Sequence, residues 1–427
     1  MLVEFSVGNF LSFKDITTFS MVASSIKELK DTNTHSVNNL NLLKSAVIYG
    51  ANASGKSNLF AAMRFMKNFI LESSKDKQVN EEIDVETFKL DKSMEELPSY
   101  FEIIFIKDKV RYRYGFEVTS QKVKGEWLFS AVKKEKLLFY RNEDGIDLGN
   151  SFKEGKGLET KTRENALFLS VVANFNGEIS AGILSWFDDF NIISGTNSII
   201  QPFTKKSLEN EKFKKKILNL LRVADIDIVD ISVEKIKIPA DKIPKDIPEL
   251  ISNRLKEEFE IIFTEREAKD NHIAIFNAEK SESEGTIKLL SLSAPIIDTI
   301  ENSRTLIVDE LDSKFHPLIT KAIIEMFNSK KNEQAQLIFN THDTTHLTNE
   351  YFRRDQIWFT EKDEFGCSEL YSLVEYKIDT SKIRNDAAYN KNYLMGKYGA
   401  VPYVGNLELL EELFENGDGQ SFSQKEE

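Results

Sequence analysis

The chain has 427 residues, of which 41% are hydrophobic and 29% are charged, as in an ordinary soluble globular protein. Its formal net charge of −13 argues against a surface built mainly to coat nucleic acid or anionic membrane. The single cysteine, Cys367, excludes an internal disulfide and a cysteine-rich zinc module. The sequence starts without a secretory signal, and no apolar stretch approaches the ~20 residues of a membrane-spanning helix. We therefore expect a cytoplasmic protein without a membrane partner.

Near the N-terminus a strand, a glycine loop and a helix follow one another. Residues 2–8 alternate like a half-buried strand, and a second, fully apolar strand is predicted at 45–49. This strand runs into Gly50, and a helical pattern then extends from Lys56 to about Ser73. Strand, glycine loop and helix form the setting that a phosphate-binding loop requires.

The remaining patterns predict an α/β chain with an irregular middle. Strands are predicted at 99–118 (a hairpin), 126–130, 226–238, 257–264, 305–308 and 336–339. Helices are predicted at 163–174, 178–190 and 205–222, after 285 with an interruption at Pro295, and at 317–329. The tail 417–427 is polar, which predicts disorder.

The segment from Gly50 to Ser57 fits the pattern GxxxxGK[ST]. Glycines let successive backbone N–H groups approach a β-phosphate closely. Lys56 would bring a positive charge to the β- and γ-phosphates, and the Ser57 hydroxyl would hold Mg²⁺. The helix that starts there adds the positive end of its dipole. The flanking strand and helix favour a nucleotide site over a chance glycine-rich turn.

The predicted strand 305–308 ends in two carboxylates, Asp309 and Glu310. Asp309 lies where an acid would orient Mg²⁺ and its waters, and Glu310 could polarise an attacking water. Two acids at a strand end can also be merely solvated. Their combination with the glycine loop at Gly50 favours the functional interpretation.

About 250 residues separate Lys56 from Asp309, far more than in a compact AAA+ module or a small GTPase. Ser283 and Gly285 open a helix shortly before the acidic pair. Such a helix start can bind a γ-phosphate through backbone N–H groups and the dipole. We expect it to serve the nucleotide of a second copy, because it lies far along the chain from its own loop.

This order of motifs resembles the ABC-type ATPase head of the SMC/RecF/OLD branch. Residues 7–15, VGNFLSFKD, are similar to the first hairpin of RecF-like and OLD-like proteins. More narrowly, five segments resemble the stand-alone AAA ATPases of bacterial abortive-infection and anti-phage operons, the AbiL/RloA-like group: GANASGKSNL, SEGT, VDELDSKFHP, NTHD and RRDQIWFTEKD.

The resemblance implies an α/β fold, an ABC-type P-loop ATPase head assembled from both ends of the chain. The implied parts are a first lobe at 1–134, a helix-rich α/β insertion at 135–270, a second lobe at 271–416 and a disordered tail at 417–427.

The resemblance also implies roles for individual residues. The catalytic residues would be Glu310 as the base, Lys56, and His342 as the sensor of the γ-phosphate. ATP would be bound by Gly50, Asn52, Ser54, Gly55, Lys56, Ser57, Asn58, Ser283, Gly285 and Asp312. Ser283 and Gly285 would form the signature that reaches the partner's γ-phosphate, and Asp312 would be the D-loop contact. Mg²⁺ would be held by Ser57 and Asp309. The signature has Glu284 where a glycine is common, and nothing local singles out a Q-loop glutamine, although Gln121 is available.

The implied function is that of a Mg²⁺-dependent ATPase subunit of an anti-phage defence complex. It would dimerise around ATP, or form a larger even-numbered oligomer, and would sense infection and control a separately encoded effector such as a nuclease. An intrinsic nuclease is not expected, because the acids at 363, 364, 369 and 375 do not resemble a TOPRIM pattern. The alternatives are a RecF/SMC-like DNA-binding clamp used in repair and a scaffold with a vestigial site.

Several residues have plainer interpretations. The lysines at 205, 206, 212, 214, 215 and 216 predict a solvated helix face, although they could contact nucleic acid or an acidic partner. His316 is expected to cap or pack at a helix start, and Trp358 to lie in the core. His35, His272 and His346 lack a metal-ligand spacing.

Overall fold

The computed structural model describes residues 1–74, 81–196, 199–237, 258–378, 381–382, 384 and 387–402. The predicted tail 417–427 lies outside these residues. None of the helices in the described ranges is long and apolar enough to cross a membrane.

The strands and helices of these residues are numbered here in chain order. The strands are β1 (Leu2–Gly8), β2 (Thr17–Ser20), β3 (Thr34–Val37), β4 (Leu40–Leu43), β5 (Ser45–Gly50), β6 (Ser99–Lys107), β7 (Val110–Val118), β8 (Val123–Ala131), β9 (Glu135–Asn142), β10 (Gly145–Leu148), β11 (Phe190–Ser194), β12 (Asp230–Lys237), β13 (Glu258–Glu267), β14 (Ile273–Asn277), β15 (Thr305–Asp309), β16 (Gln336–Asn340), β17 (Ile357–Lys362), β18 (Ser368–Ser372), β19 (Lys377–Ile378) and β20 (Ser381–Lys382). The helices are α1 (Lys30–Asn33), α2 (Lys56–Glu72), α3 (Phe168–Asn174), α4 (Glu178–Asp188), α5 (Pro202–Leu208), α6 (Glu211–Val223), α7 (Ala278–Ser281), α8 (Glu284–Glu301), α9 (Pro317–Phe327) and α10 (Tyr389–Leu394).

The central sheet has the strand order β11–β15–β16–β5–β17–β18. The first five strands are parallel, and β18 pairs antiparallel with β17. Every residue of β5 is buried, as expected for a parallel strand that is covered on both faces. Because the strands are parallel, the carboxyl ends of β15, β16 and β5 meet at one edge of the sheet. Asp309, Asn340 and Gly50 therefore come together.

A second, antiparallel sheet has the order β10–β9–β8–β7–β6–β1–β2. Helix α2 packs between this sheet and one face of the central sheet, where Ala46 and Ile48 of β5 join the same apolar core as Leu59 and Phe60. The other face of the central sheet is covered by α5, α6, α8 and α9. The alternation of side chains along a strand thus supplies both cores.

The buried side chain of Gln336 joins the two sheets. Its Oε1 accepts a hydrogen bond from the Leu2 N–H at 2.6 Å, and its Nε2 donates to the carbonyls of Leu2 and Leu43 at 3.0 and 3.2 Å. One amide therefore fixes the first strand of the antiparallel sheet against the start of β16.

Residues of the predicted insertion 135–270 lie in three sheets. Strands β9 and β10 extend the antiparallel sheet, and β11 pairs with β15 at the edge of the central sheet. Strands β12 and β13 belong to a third, antiparallel sheet of order β12–β13–β14. The division of the chain into domains stays a prediction.

The helix predicted at 163–174 begins only at Phe168. The Arg141 guanidinium binds the carbonyls of residues 163, 164 and 166, so those carbonyls do not accept helical hydrogen bonds. The buried Glu126 carboxylate then accepts from the N–H groups of Phe168 and Leu169 at 2.6 and 3.0 Å, which caps the start of α3. Likewise, 205–222 forms two helices, because Asn210 caps a new start at α6.

The predicted interruption at Pro295 is wrong, since α8 continues through it from Glu284 to Glu301. Proline has no N–H, so the carbonyl of Ser291 loses its helical donor. Thr204 of α5 replaces that donor: its hydroxyl lies 2.7 Å from the Ser291 oxygen, and both side chains are buried. A contact from another helix thus makes the proline tolerable.

We expect Thr204→Val to lower the free energy of unfolding by about 1–3 kcal/mol, because it leaves a buried carbonyl without a donor. Thr204→Ser keeps the hydroxyl and serves as the control. Urea unfolding followed by circular dichroism would compare the two variants. A Thr204→Val variant as stable as the unmodified chain would mean that the hydrogen bond to the Ser291 carbonyl does not stabilise the helix.

Candidate nucleotide-binding site

The predicted phosphate loop connects β5 to α2 in a tightly confined backbone. Ala53 and Gly55 adopt left-handed conformations, with φ of 61° and 115°. A Cβ at Gly55 would lie 2.3 Å from the Ser368 hydroxyl, and one at Gly50 would lie 2.5 Å from the carbonyl oxygen of Thr360. Glycine is therefore required at both positions, by conformation and space at Gly55 and by space at Gly50.

Three side chains without a predicted role fix the phosphate loop by hydrogen bonds. They are Thr360, Ser368 and Ser12. The Thr360 and Ser54 hydroxyls are 2.6 Å apart, and the Ser368 hydroxyl donates to the Ser54 carbonyl at 2.7 Å. Ser12 accepts from the Asn58 amide at 2.7 Å. Ser12 and Thr360 lie in segments that the resemblance includes, VGNFLSFKD and RRDQIWFTEKD, whereas Ser368 carries no signal in the sequence.

Lys56 is buried, and its Nζ donates to the carbonyls of Gly50 and Ala51, each at 2.8 Å. Burial lowers the pKa of Lys56 to about 8, against the opposing effect of Glu310 and Asp309. An anion that took the place of the two carbonyls would stabilise the charged ammonium. Asn52 is exposed in the same loop.

The loop and the acidic strand end are in direct contact. The Ser57 hydroxyl donates to Asp309 Oδ1 at 3.0 Å, and Asn340 Nδ2 donates to the same oxygen at 2.5 Å. The Oδ1 of Asn340 accepts from the Glu310 N–H. Asn340 lies in the NTHD segment, but the sequence predicts no role for it. The structure shows that it connects Asp309 and Glu310.

Glu310 has a left-handed backbone, with φ of 58°, which costs a non-glycine residue energy. Its carbonyl accepts a hydrogen bond from Lys288 Nζ at 2.9 Å, on the side opposite to the N–H that Asn340 holds. The backbone of Glu310 is thus fixed at its N–H and at its carbonyl. Lys288 was also missed; a lysine within an apolar helical pattern was its only signal.

The predicted signature lies against the segment that follows the acids. Ser283 is the N-cap of α8, and its hydroxyl accepts from the Thr286 N–H at 3.1 Å. A Cβ at Gly285 would lie 2.8 Å from the Lys314 carbonyl oxygen. Among the described residues, no hydrogen bond joins Ser283 or Gly285 to residues 50–58.

His342 and Asp312 lie near the charged group of Lys56, and His342 also lies near those of Asp309 and Glu310. Burial lowers the pKa of His342, and the positive charge of Lys56 lowers it further. One carboxylate oxygen of Asp312 is buried without a hydrogen-bond partner among the described residues. Gln121 lies elsewhere, in the turn between β7 and β8.

Two of the plainer interpretations are confirmed. His316 caps α9 by accepting from the Leu318 N–H at 3.3 Å. Trp358 is 5% exposed and packs with its ring centroid 5.0 Å from that of Phe19. His35 is buried against the Ala335 carbonyl.

A parallel sheet that carries a phosphate loop, with carboxylates at the end of a nearby strand, defines an α/β P-loop ATPase fold. The predicted fold class is therefore confirmed. A family model described as "AAA domain, putative AbiEii toxin, Type IV TA system" matches residues 45–348. Since this range covers more than half of the chain, the chain belongs to that family of AAA ATPases.

Solved structures are also similar over most of the chain. The SMC head domain from Thermotoga maritima matches with a TM-score of 0.40 and 10% identity, covering 87% of this chain and 98% of that one. An SMC head bound to the C-terminal winged-helix domain of ScpA gives 0.44 and 14%, covering 87% and 97%. An SMC head from Pyrococcus furiosus, bound to the C-terminal domain of ScpA, gives 0.38 and 12%, covering 87% and 96%. None of the curated proteins compared with the chain matches it significantly.

We expect Asn340→Ala to lower kcat for ATP at least tenfold while nucleotide affinity changes little, because it frees both acids without touching the loop. Asn340→Asp keeps an acceptor for the Glu310 N–H but repels Asp309, and should be at least as impaired. Steady-state kinetics and calorimetric titration with ATP would measure this. An unchanged kcat in Asn340→Ala would show that the amide does not position the acids.

Proposed function

We propose that the chain binds ATP with Mg²⁺ at the phosphate loop and hydrolyses it. The contact that supports this most directly is that of Ser57 with Asp309, at 3.0 Å, across about 250 residues of sequence. A hydroxyl on the first turn of α2 and a carboxylate at the end of β15 form the donor pair that such a reaction needs.

The residues present fit a magnesium ion. Mg²⁺ prefers oxygen donors and takes few from protein, because it keeps several waters and binds substrate phosphates. Ser57 and Asp309 supply two such oxygens, and no cluster of three acidic, histidine or cysteine side chains in the described ranges offers a fuller cage. Bound Mg²⁺ would neutralise charge on the β- and γ-phosphates.

Glu310 is proposed to orient the attacking water. Water attacks the γ-phosphorus, the bond to the β–γ bridging oxygen breaks, and ADP leaves with that electron pair while Glu310 accepts the water proton. Lys56 would exchange its two carbonyls for phosphate oxygens, next to Gly50, Ser54 and Gly55. His342, whose pKa is lowered by the positive charge of Lys56, would contact the γ-phosphate.

ATP is proposed to bind between two copies of the chain. Ser283 begins an 18-residue helix, whose dipole favours an anion at that end. Ser283 makes no hydrogen bond to its own phosphate loop among the described residues, which leaves it for a second copy. Asp312, with a buried oxygen that lacks a partner among those residues, would complete the contact.

The proposed biological role is in anti-phage defence, in the cytoplasm. The family description names a toxin and a toxin–antitoxin system, which supports an ATPase that controls a separately encoded effector such as a nuclease. A DNA clamp has less support, because lysines of the basic cluster pair with acids. Lys214 lies 3.0 Å from Asp230, and Lys216 forms an ion pair with Glu301.

We expect Lys56→Ala to abolish ATP binding, and Glu310→Gln to bind ATP but lose at least a hundredfold in kcat and accumulate as an ATP-bound dimer. Light scattering with and without ATP and Mg²⁺ would measure the mass, and coupled phosphate release the rate. Glu325→Gln, on the surface of α9, is the matched control.

Full turnover in Glu310→Gln would contradict the role of Glu310. An ATP-bound monomer would contradict the composite site, as would a dimer that persists when Ser283→Arg is added to Glu310→Gln.

The biological role has its own test, native mass spectrometry of tagged Glu310→Gln protein purified with ATP and Mg²⁺ from a host that carries the neighbouring genes. An even-numbered ATPase assembly with a second protein would support control of an effector. Dimers that carry only nucleic acid would contradict it and favour the clamp.

A further inference from the structure

Lys288 is a buried lysine that the proposed reaction does not use. It lies on α8, 1% exposed, about one turn beyond Gly285. Its Nζ donates to three backbone carbonyls, those of Glu310 at 2.9 Å, Leu311 at 2.8 Å and Ser313 at 2.5 Å. An ammonium has three N–H donors, so every one of them is used on this short segment.

The segment 310–314, called the catalytic loop here, is also held by the buried side chain of Leu311, whose N–H donates to the Asn340 carbonyl at 3.2 Å. It carries Glu310 and Asp312, and its backbone is left-handed at Glu310 and at Lys314, with φ of 58° and 65°. Asn340 holds its first N–H. Lys288 binds three carbonyls of the catalytic loop, so the shape of the loop depends on where α8 lies.

The start of α8 touches the same loop. A Cβ at Gly285 would lie 2.8 Å from the Lys314 carbonyl oxygen, and the Lys314 ammonium lies 3.4 Å from the Glu284 carboxylate. Ser283, Gly285 and Lys288 belong to one capped helix end and move together. A displacement of Ser283 therefore displaces the Lys288 ammonium, which donates to the carbonyls of Glu310, Leu311 and Ser313.

Burying an ammonium costs several kcal/mol before hydrogen bonds offset it. An aliphatic side chain would avoid that cost but would leave three carbonyls of the catalytic loop without these donors. What the lysine adds is a directional link between α8 and the carbonyls of the catalytic loop.

We infer that Lys288 is a positioning residue that couples the signature to the catalytic loop. When Ser283 engages the nucleotide of a second copy, α8 sets the orientation of Glu310 through the three carbonyls. The inference rests on the proposed function and adds the residue through which the contact with a second copy reaches Glu310.

The test compares Lys288→Met with Lys288→Arg, and with Lys280→Met as a control on the exposed helix α7. We expect Lys288→Met to bind ATP with a KM within about twofold of the unmodified chain and to form the ATP dimer in the Glu310→Gln background. Its kcat should fall at least tenfold and should no longer rise with protein concentration. Lys288→Arg restores donors and should recover much of the rate.

A second measurement does not depend on how the Lys288 variants fold. Hydrogen exchange of residues 309–315 in Glu310→Gln protein should slow on adding ATP and Mg²⁺, and Ser283→Arg should remove that protection. Equal protection with and without Ser283→Arg would overturn the coupling, as would an unchanged concentration dependence of kcat in Lys288→Met. Absence of ATPase activity in the unmodified chain would instead overturn the proposed function itself.

Discussion

The candidate site depends on the parallel pairing of β15, β16 and β5. This pairing brings the ends of three strands from distant parts of the sequence to one edge of the sheet. The middle strand ends in Asn340, whose amide donates to Asp309 and accepts from the Glu310 N–H. A shift of β16 by one residue would turn Asn340 to the other face and leave both contacts unmade. The register of the core strands therefore sets the geometry of the acids, and the apolar residues of β16, which are all buried, set the register.

Two free-energy contributions of similar size oppose each other at Glu310, the strain of its backbone and the hydrogen bonds that it accepts and donates. A left-handed residue other than glycine costs about 1–3 kcal/mol, and a hydrogen bond to a charged group contributes about 1.5–3 kcal/mol. The three bonds from Lys288 exceed the strain at Glu310, but much of their contribution offsets the burial of the ammonium. The net free energy by which Lys288 stabilises the catalytic loop is thus small. On the coupling inferred above, a shift of α8 would change the preferred shape of the loop.

Other motif residues stabilise the head without entering the site. Arg353, from the RRDQIW segment, is 1% exposed and forms an ion pair with Asp355 at 2.7 Å. Its guanidinium also donates to the carbonyls of Ser24 and Glu28, at 3.1 and 2.7 Å. Together with the Gln336 contacts to Leu2, these bonds tie the N-terminal strands to the last strands of the central sheet. Such contacts fix the register between segments of the central sheet and of the N-terminal region that lie far apart in the sequence.

The features that the sequence predicts depend on residues close together in the chain. The features that it misses depend on contacts between distant segments. Strands β5 and β15 and helix α2 follow from local apolar patterns, and the phosphate loop from the spacing of its glycines. The roles of Lys288, Asn340 and Thr360 do not follow from the sequence, although the last two lie in segments of the family resemblance, because each role is defined by partners on other elements. The same cause made the interruption at Pro295 wrong: local chemistry forbids the helical hydrogen bond, and only the fold brings Thr204 to replace it. Buried polar contacts between distant segments are thus where sequence patterns stop being informative, and they are also what orients Glu310.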